Sequence, residues 1–257
     1  LRARLRVDNL SAASGTFFRR PQPHQEPGVV LPEAEARPFS LPQLPVSVEV
    51  RNVQVDRFTF GEPVFGQAAD IALSGAVTLA DGVLDSRLDV RRLDGPGGTL
   101  GLKAAFSNAT RVLDLNVALT EPAGGIAATL LRIEGRPALD LTLVGSGPLE
   151  TLDLTLALDA DHTRLVDGTL GLRGTDAGLG FTLAIDGDVS PLVPPDFRGF
   201  FGPGTIDVAG LRLADGGLRI DTARVKGPVL NLDGRLEAAP GFQLTRLDLR
   251  HTRSEER

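Results

Sequence analysis

From Val46 onward the chain alternates apolar and polar residues with a period of two. Val46, Val48 and Val50 open the pattern, and Val53 and Val55 resume it after a one-residue slip that predicts a β-bulge. Ile71, Leu73, Val77 and Leu79 follow up to the turn ADG, then Leu84, Leu88 and Val90 up to DGPGG, then Leu100, Leu102, Ala104 and Phe106. Further runs are Leu113 to Leu119, Leu139 to Leu143, Leu152 to Leu158, Leu170 and Leu172, and Leu179 to Ile185. Ile206 and Val208, Leu211 and Leu213, Leu218 and Ile220, Leu230 and Leu232, and Leu247 and Leu249 complete the series. Period-two alternation broken by DG, GG and GP marks half-buried antiparallel strands joined by short turns. The pattern predicts an all-β antiparallel meander over residues 46–250.

The stretch ALDLTLVGSGPLETLDLTLALDA carries LDLTL twice, starting at Leu139 and Leu152. A hairpin pairing Leu139 with Leu158, Leu141 with Leu156 and Leu143 with Leu154 puts leucine on one side. Asp140 and Thr142 then meet Ala157 and Thr155 on the other. Extended along the chain, this reading assigns one apolar lining to Leu113, Leu115, Val117, Leu119, Leu139, Leu141, Leu143, Leu152, Leu154, Leu156 and Leu158. Leu179, Phe181, Leu183, Ile185, Leu230 and Leu232 continue it.

An apolar sheet face must be covered. A sandwich, a closed barrel, or one long sheet curled around a groove are the three solutions. The lining is Leu, Val and Ala, with Gly75, Gly145 and Gly234 interspersed, and only 5% of the chain is aromatic, all of it Phe. Interlocking sandwich cores draw on bulkier, more varied side chains. The expectation is therefore an open groove with an apolar concave face.

Three segments depart from the rhythm. Residues 1–20 start like a strand, and residues 21–45 hold seven prolines, which excludes a regular helix or central strand. That stretch reads as a loop or linker. PAGGIAATLLRIEGRP places Ile126, Leu130 and Ile133 on one side of a short amphipathic helix near 124–134. SPLVPPDFRGFFGPG predicts helical turns near 191–201, with Leu192, Val193, Phe197, Phe200 and Phe201 covering the sheet. Residues 251–257 read as a polar tail.

The chemistry of enzymes is missing from the pattern. There is no Cys, so thiolate metal sites and disulfides are excluded. The three histidines, His24, His162 and His251, share no strand face, which leaves metal ligation and a Ser–His–Asp set without support. Asp81, Asp94, Asp167 and Asp215 fall in turns, and GPGGTLG lacks the Lys-Ser/Thr of a phosphate loop. No catalytic residue, cofactor or bound metal is expected. The net charge of −6, with Lys103 and Lys226 the only lysines, argues against a nucleic-acid surface. No apolar run approaches the ~18 residues of a membrane span. The absence of Met and the strand-like opening imply an internal piece of a longer protein.

Three stretches in order resemble the TamB family, the large subunit of the translocation and assembly module of Gram-negative bacteria. They are LPVSVEVRNVQVDRFTFGEPVFGQAADIALSG (44–75), GGIAATLLRIEGRPALDLTLVGSGPLETL (124–152) and SPLVPPDFRGFFGPG (190–204). The chain departs from that pattern at Thr151 and Leu152, where such proteins often carry an acidic residue and Trp, and at Phe197, often Tyr. The resemblance implies a long curled β-sheet of the β-taco kind, a periplasmic location and an inner-membrane anchor outside this chain. It also implies kinship to AsmA-like bridge proteins. The implied function is non-enzymatic: phospholipid acyl chains carried along a hydrophobic trough, with a TamA-like outer-membrane partner. The alternative is a chaperone-like factor that templates outer-membrane β-barrel strands by augmentation. A self-contained sandwich or β-helix acting as an adhesin or carbohydrate binder is the third reading.

Overall fold

The period-two pattern folds into fifteen strands of a single open sheet. The structure, a computed structural model, describes residues 3–18, 41, 46–175, 177–193, 195–213, 215–240 and 243–253. The strands are β1 (Ala3–Val7), β2 (Leu10–Phe17), β3 (Val46–Phe60), β4 (Ala69–Ala80), β5 (Val83–Arg92), β6 (Thr99–Ser107), β7 (Val112–Glu121) and β8 (Leu139–Pro148). They continue as β9 (Asp153–Ala160), β10 (Thr163–Thr175), β11 (Gly178–Asp188), β12 (Pro203–Leu213), β13 (Leu218–Lys226), β14 (Leu230–Ala239) and β15 (Gln243–Arg253). From β3 to β15 each strand pairs antiparallel with its neighbour in sequence. Of the three ways to cover an apolar face, the chain adopts the open sheet.

The first edge breaks the antiparallel rule. β1 and β2 lie end to end along β3 and both run parallel to it. A parallel neighbour needs a crossover rather than a hairpin, and the chain between Phe17 and Val46 supplies its length. The proline-rich segment, and His24 within it, fall outside the described residues apart from Leu41. Leu41 is buried, and its backbone is clamped by Asn108, which accepts from Leu41 N–H at 2.8 Å and donates to its carbonyl at 2.9 Å.

Turns follow local chemistry. Asp81–Gly82 and Asp161–His162 are two-residue hairpin loops with both residues at positive φ, the primed geometry that suits strand twist. The GPGG loop is a hairpin connection, closed by Arg92 N–H donating to the Gly98 carbonyl. The bulge predicted after Val50 is present: Val50 pairs with Val77 but Val53 with Gly75. A second follows between Val55 and Phe58, and others occur along β9/β10, β12/β13, β13/β14 and β14/β15. Each bulge bends its strand and adds right-handed twist, so a sheet this long coils.

Several details differ from expectation. The 3₁₀ turn Leu149–Thr151 centres the β8/β9 hairpin one residue later than the simple reading. Leu141 therefore pairs with Leu158, Leu143 with Leu156, and Thr142 with Ala157. The two-residue shift leaves every leucine on its predicted side. Asp167 lies within β10 rather than in a turn, and β15 runs to Arg253, into the segment expected to be a tail. Leu211 and Leu213 face opposite to Ile206 and Val208, because β12 runs through without a slip and the bulge falls in β13.

Among the described residues, all the short helical elements but the 3₁₀ turn Leu149–Thr151 gather on one rim of the sheet. That rim carries α1 (Glu62–Phe65), α2 (Ile126–Leu130) and the 3₁₀ turns Ser190–Leu192 and Pro195–Phe200. α1 was not foreseen, although Pro63 near its start and Gly66 at its end are ordinary helix punctuation. α2 is shorter than predicted and turns a different side to the sheet. Ala128 and Ile133 are buried, whereas Leu130 is 50% exposed. The Phe197 side chain lies outside the described residues, and Phe200 is exposed rather than packed.

Candidate functional site: an apolar face along the whole sheet

Paired residues in a sheet point to the same side, so the registers define faces without ambiguity. One row runs Val55, Leu73, Val90, Leu100, Leu119, Leu141, Leu158, Val166. The next runs Val53, Gly75, Leu88, Leu102, Val117, Leu143, Leu156, Gly168, Ile185, Ile206, Val225, Leu232. A third brings Leu154, Leu170, Leu183, Val208 and Ala223 together, and a fourth Leu172, Phe181, Gly210, Ile220, Leu236 and Leu247. Leu113 and Leu115 extend the face through Phe106 and Ala104. Leu139 opens β8 on the same side, Leu179 stands two residues before Phe181, and Leu230 two before Leu232. All seventeen residues assigned to the lining share this face.

Its state of burial distinguishes a face from a core. Leu102, Val117 and Leu143 have sheet neighbours on every side and are still only half-buried. A second packed layer would remove the remaining exposure, so none of the described residues forms one over them. Leu179 is 41% exposed. Four of the predicted residues are buried, for two local reasons. Leu152 and Leu154 sink into space left by glycines: a Cβ on Gly145 would stand 2.7 Å from Leu154 Cδ2, and one on Gly147 would stand 3.8 Å from Leu152 Cδ1. Gly145 is thus filled by a neighbour rather than left as a hollow, and Gly234 likewise lies against Leu249. Leu139 and Leu158 lie under α2, in a cluster with Ala128, Ile133 and Val166 that Ile185, Val189 and Leu192 flank.

The α2 cover is latched by one carboxylate. Glu121 ends β7 on the apolar side, 6% exposed, and accepts from Ile126 N–H at 3.0 Å and Ala127 N–H at 2.7 Å. These are two of the amides that a helix start leaves without an internal partner. Further along the rim, Gln67 donates to the Gly124 carbonyl, and Arg198 bonds Glu134, joining the loop after α1, α2 and the last 3₁₀ turn.

The rim row of the apolar face is also its polar exception. It reads Phe58, Ile71, Arg92, then Gly98, Glu121, Leu139. Arg92 donates through Nε and an η-nitrogen to Asp94, at 3.1 and 3.2 Å. Burial opposes ionisation of Asp94, but hydrogen bonds from Arg92 and from the Asp70 amide outweigh it and hold the carboxyl below its ordinary value. Neither Arg92 nor Glu121 was singled out from sequence; each follows directly on a periodic run.

Apart from Leu211 and Leu213 on β12, the opposite face is mostly wet. It carries cross-strand and neighbouring ion pairs at Arg87–Asp89, Arg173–Asp153, Arg219–Asp221, Arg224–Asp233 and Arg246–Asp248. These exposed pairs contribute little stability each. His162 forms a hairpin turn, and His251 pairs with Leu232 at the far edge. Among the described residues no three His, Asp or Glu side chains converge as metal ligands, and no helix is long and apolar enough to cross a membrane. The chain matches no family model, no curated protein and no solved structure.

Proposed function

We propose that the chain is a non-enzymatic conduit for phospholipid acyl chains, acting in a periplasmic assembly of the TamB type whose membrane anchor lies elsewhere. The supporting observation is the apolar face shared by β3 to β15, which is uncovered outside the stretch beneath α2. With strands spaced ~4.8 Å apart it extends on the order of 60 Å. Each methylene moved from water onto such a surface contributes about 0.8 kcal/mol. Rows of similar Leu and Val side chains offer nearly the same gain at each step, so an acyl chain meets no deep trap along the way. Photo-crosslinking groups at Val117, Leu143 and Leu183 should capture lipid from vesicles, while groups at Asn116, Thr142 and Thr182 should not. Equal labelling of both sets, or none at either, overturns the proposal. Leu154 is a poor reporter, because Gly145's space already holds it.

A second reading, strand augmentation of outer-membrane β-barrel proteins with a TamA-like partner, draws on the outer edge of β15. That edge pairs with no described strand, and Leu244, Leu247 and Leu249 beside it are 56%, 48% and 56% exposed. It predicts crosslinks from β15 to unfolded barrel segments that a Thr245→Pro substitution abolishes without changing lipid capture. Persistence of those crosslinks in the proline variant removes it.

A further inference from the structure

The outer edge of β15 pairs with no described strand. Edges guarded against pairing carry proline, lysine or very few residues. β15 has eleven residues, QLTRLDLRHTR, with no proline and no lysine. Its two faces are clearly divided. Leu247 and Leu249 stand on the apolar face, opposite Leu236 and Gly234. Arg246, Asp248 and Arg250 stand exposed on the wet face and alternate in sign. The alternation continues inward across the strands: Arg250 faces Asp233, which faces Arg224, while Asp248 faces Arg235. Arg224 already bonds Asp233 at 3.0 Å, and Arg250 makes no ion pair among the described residues.

We infer that β15 pairs antiparallel with β15 of a second copy, with a two-fold axis passing through the seam at Leu249. Leu249 then faces its own counterpart, and Leu247 faces His251 of the second copy. Asp248 faces Arg250 of the second copy, and Arg250 faces Asp248 in return. The row across the seam reads Arg235, Asp248, Arg250, Asp233, Arg224, with the sign alternating at every step, and symmetry repeats it. Facing opposite charges stabilise antiparallel strands and facing like charges destabilise them, which selects this register. An axis at Asp248 would set Asp248 against itself and Arg246 against Arg250. An axis at Arg250 would set that arginine against itself. An axis at Leu247 would run the pairing into the bulge between Arg246 and Leu244. The other edge of the sheet fits less well. Arg4 and Arg6 of β1 share the wet face with Ser47 and Glu49. Antiparallel to β15, Arg4 meets Arg250 when Arg6 meets Asp248, and Arg6 meets Arg246 when Arg4 meets Asp248. Pairing through a two-fold stops at two copies, whereas β15 on β1 would run on into open chains. Paired residues share a face, so both apolar faces lie on one side of the joined sheet and the two troughs run end to end. The pairing stands without the conduit; it adds to the length over which a conduit would run.

The chain has no cysteine, so single cysteines read the register. Leu249→Cys should give a disulfide-linked dimer under mild oxidation, because facing Cα atoms lie ~4.5–5.5 Å apart, within disulfide reach. Leu247→Cys should not, since its counterpart is displaced along the seam by about 13 Å. Sedimentation of the unaltered chain should show a reversible dimer. Asp248→Arg and Arg250→Asp should each weaken it by about tenfold or more, because two facing ion pairs become like-charge contacts. An equimolar mixture of those two variants should recover the dimer, which mixing two misfolded chains would not do. A monomeric unaltered chain, a dimer indifferent to both charge changes, or oxidation that links Leu247→Cys as readily as Leu249→Cys overturns the inference. Open chains of many copies overturn it too and assign the edge to β1. So does a chain that stays monomeric while capturing unfolded barrel segments at β15, which leaves the edge to strand augmentation.

Discussion

Replacing Glu121 with alanine should release α2 from the sheet without unfolding the protein. The substitution removes both carboxylate bonds to Ile126 and Ala127. Each orphaned amide costs about 1–3 kcal/mol while it stays buried, so keeping α2 docked becomes less favourable by several kcal/mol. The docking itself is held chiefly by Ile133 and Ala128, 2% and 0% exposed. Their burial contributes about 2–4 kcal/mol. The two quantities are similar, so the helix should detach locally, with the loss of stability capped near the docking energy. The amides of Leu131 and Ile133, which donate to the Ala127 and Ala128 carbonyls, report on this. A loss of about 3 kcal/mol should speed their hydrogen exchange by about two orders of magnitude. Amides in the middle of β5 and β13 should be unaffected. Glu121→Gln, which keeps one acceptor, should fall between. Unchanged exchange at Leu131 and Ile133 in the alanine variant would refute the latch, and uniform acceleration across the sheet would show that Glu121 supports the whole fold instead.

Three further outcomes are expected. Ile133→Ala should destabilise by about 2–4 kcal/mol in urea titration, whereas Leu130→Glu should change stability by less than about 0.5 kcal/mol, the reverse of what helical spacing alone suggests for Leu130. His162→Gly should stabilise by about 0.5 kcal/mol, since His162 sits at φ 62 in a primed turn that prefers glycine there; a loss would show that its side chain is used. Stability should also fall in acid. Arg111's hydrogen bond holds the Glu150 carboxyl below its ordinary value, and Asp94 is held low as well. The unfolded chain therefore binds these protons more readily, so the stabilisation is complete above about pH 5 and is lost as pH drops through 4 toward the depressed values. Arg111→Gln should flatten that dependence in urea titrations between pH 6 and 3, and an unchanged slope would assign it to other groups.

The faces of this sheet were legible because side-chain parity is local. The doubled LDLTL points to Leu141 opposite Leu156, whereas it pairs with Leu158, and an offset of two residues leaves it on the same side. The turn at Asp81–Gly82 and the bulge after Val50 were legible for the same reason: each is written in adjacent residues. What depends on distant pairing was not legible. The parallel edge of β1 and β2 requires knowing where the chain returns after the proline-rich segment. Arg92 and Glu121 end runs of Leu and Val, and they become neighbours only when β5, β6 and β7 are laid side by side with Gly98 between. α1 is too short for periodicity to register, and α2 ends before Leu130 can join the buried side that a longer helix would give it. The filled glycines teach the same lesson: Gly145 reads as a gap until Leu154 is placed beside it.

The account turns on one face remaining open to acyl chains while the other stays wet. A nitroxide scan along β7, one position at a time from Leu113 to Thr120, measures this directly through collision with oxygen and with a water-soluble nickel complex. When phospholipid vesicles are added, the labels at positions 113, 115, 117 and 119 should gain oxygen access and lose nickel access. Those at 114, 116, 118 and 120 should not change. A response without a period of two, or no response at any position, would contradict the account.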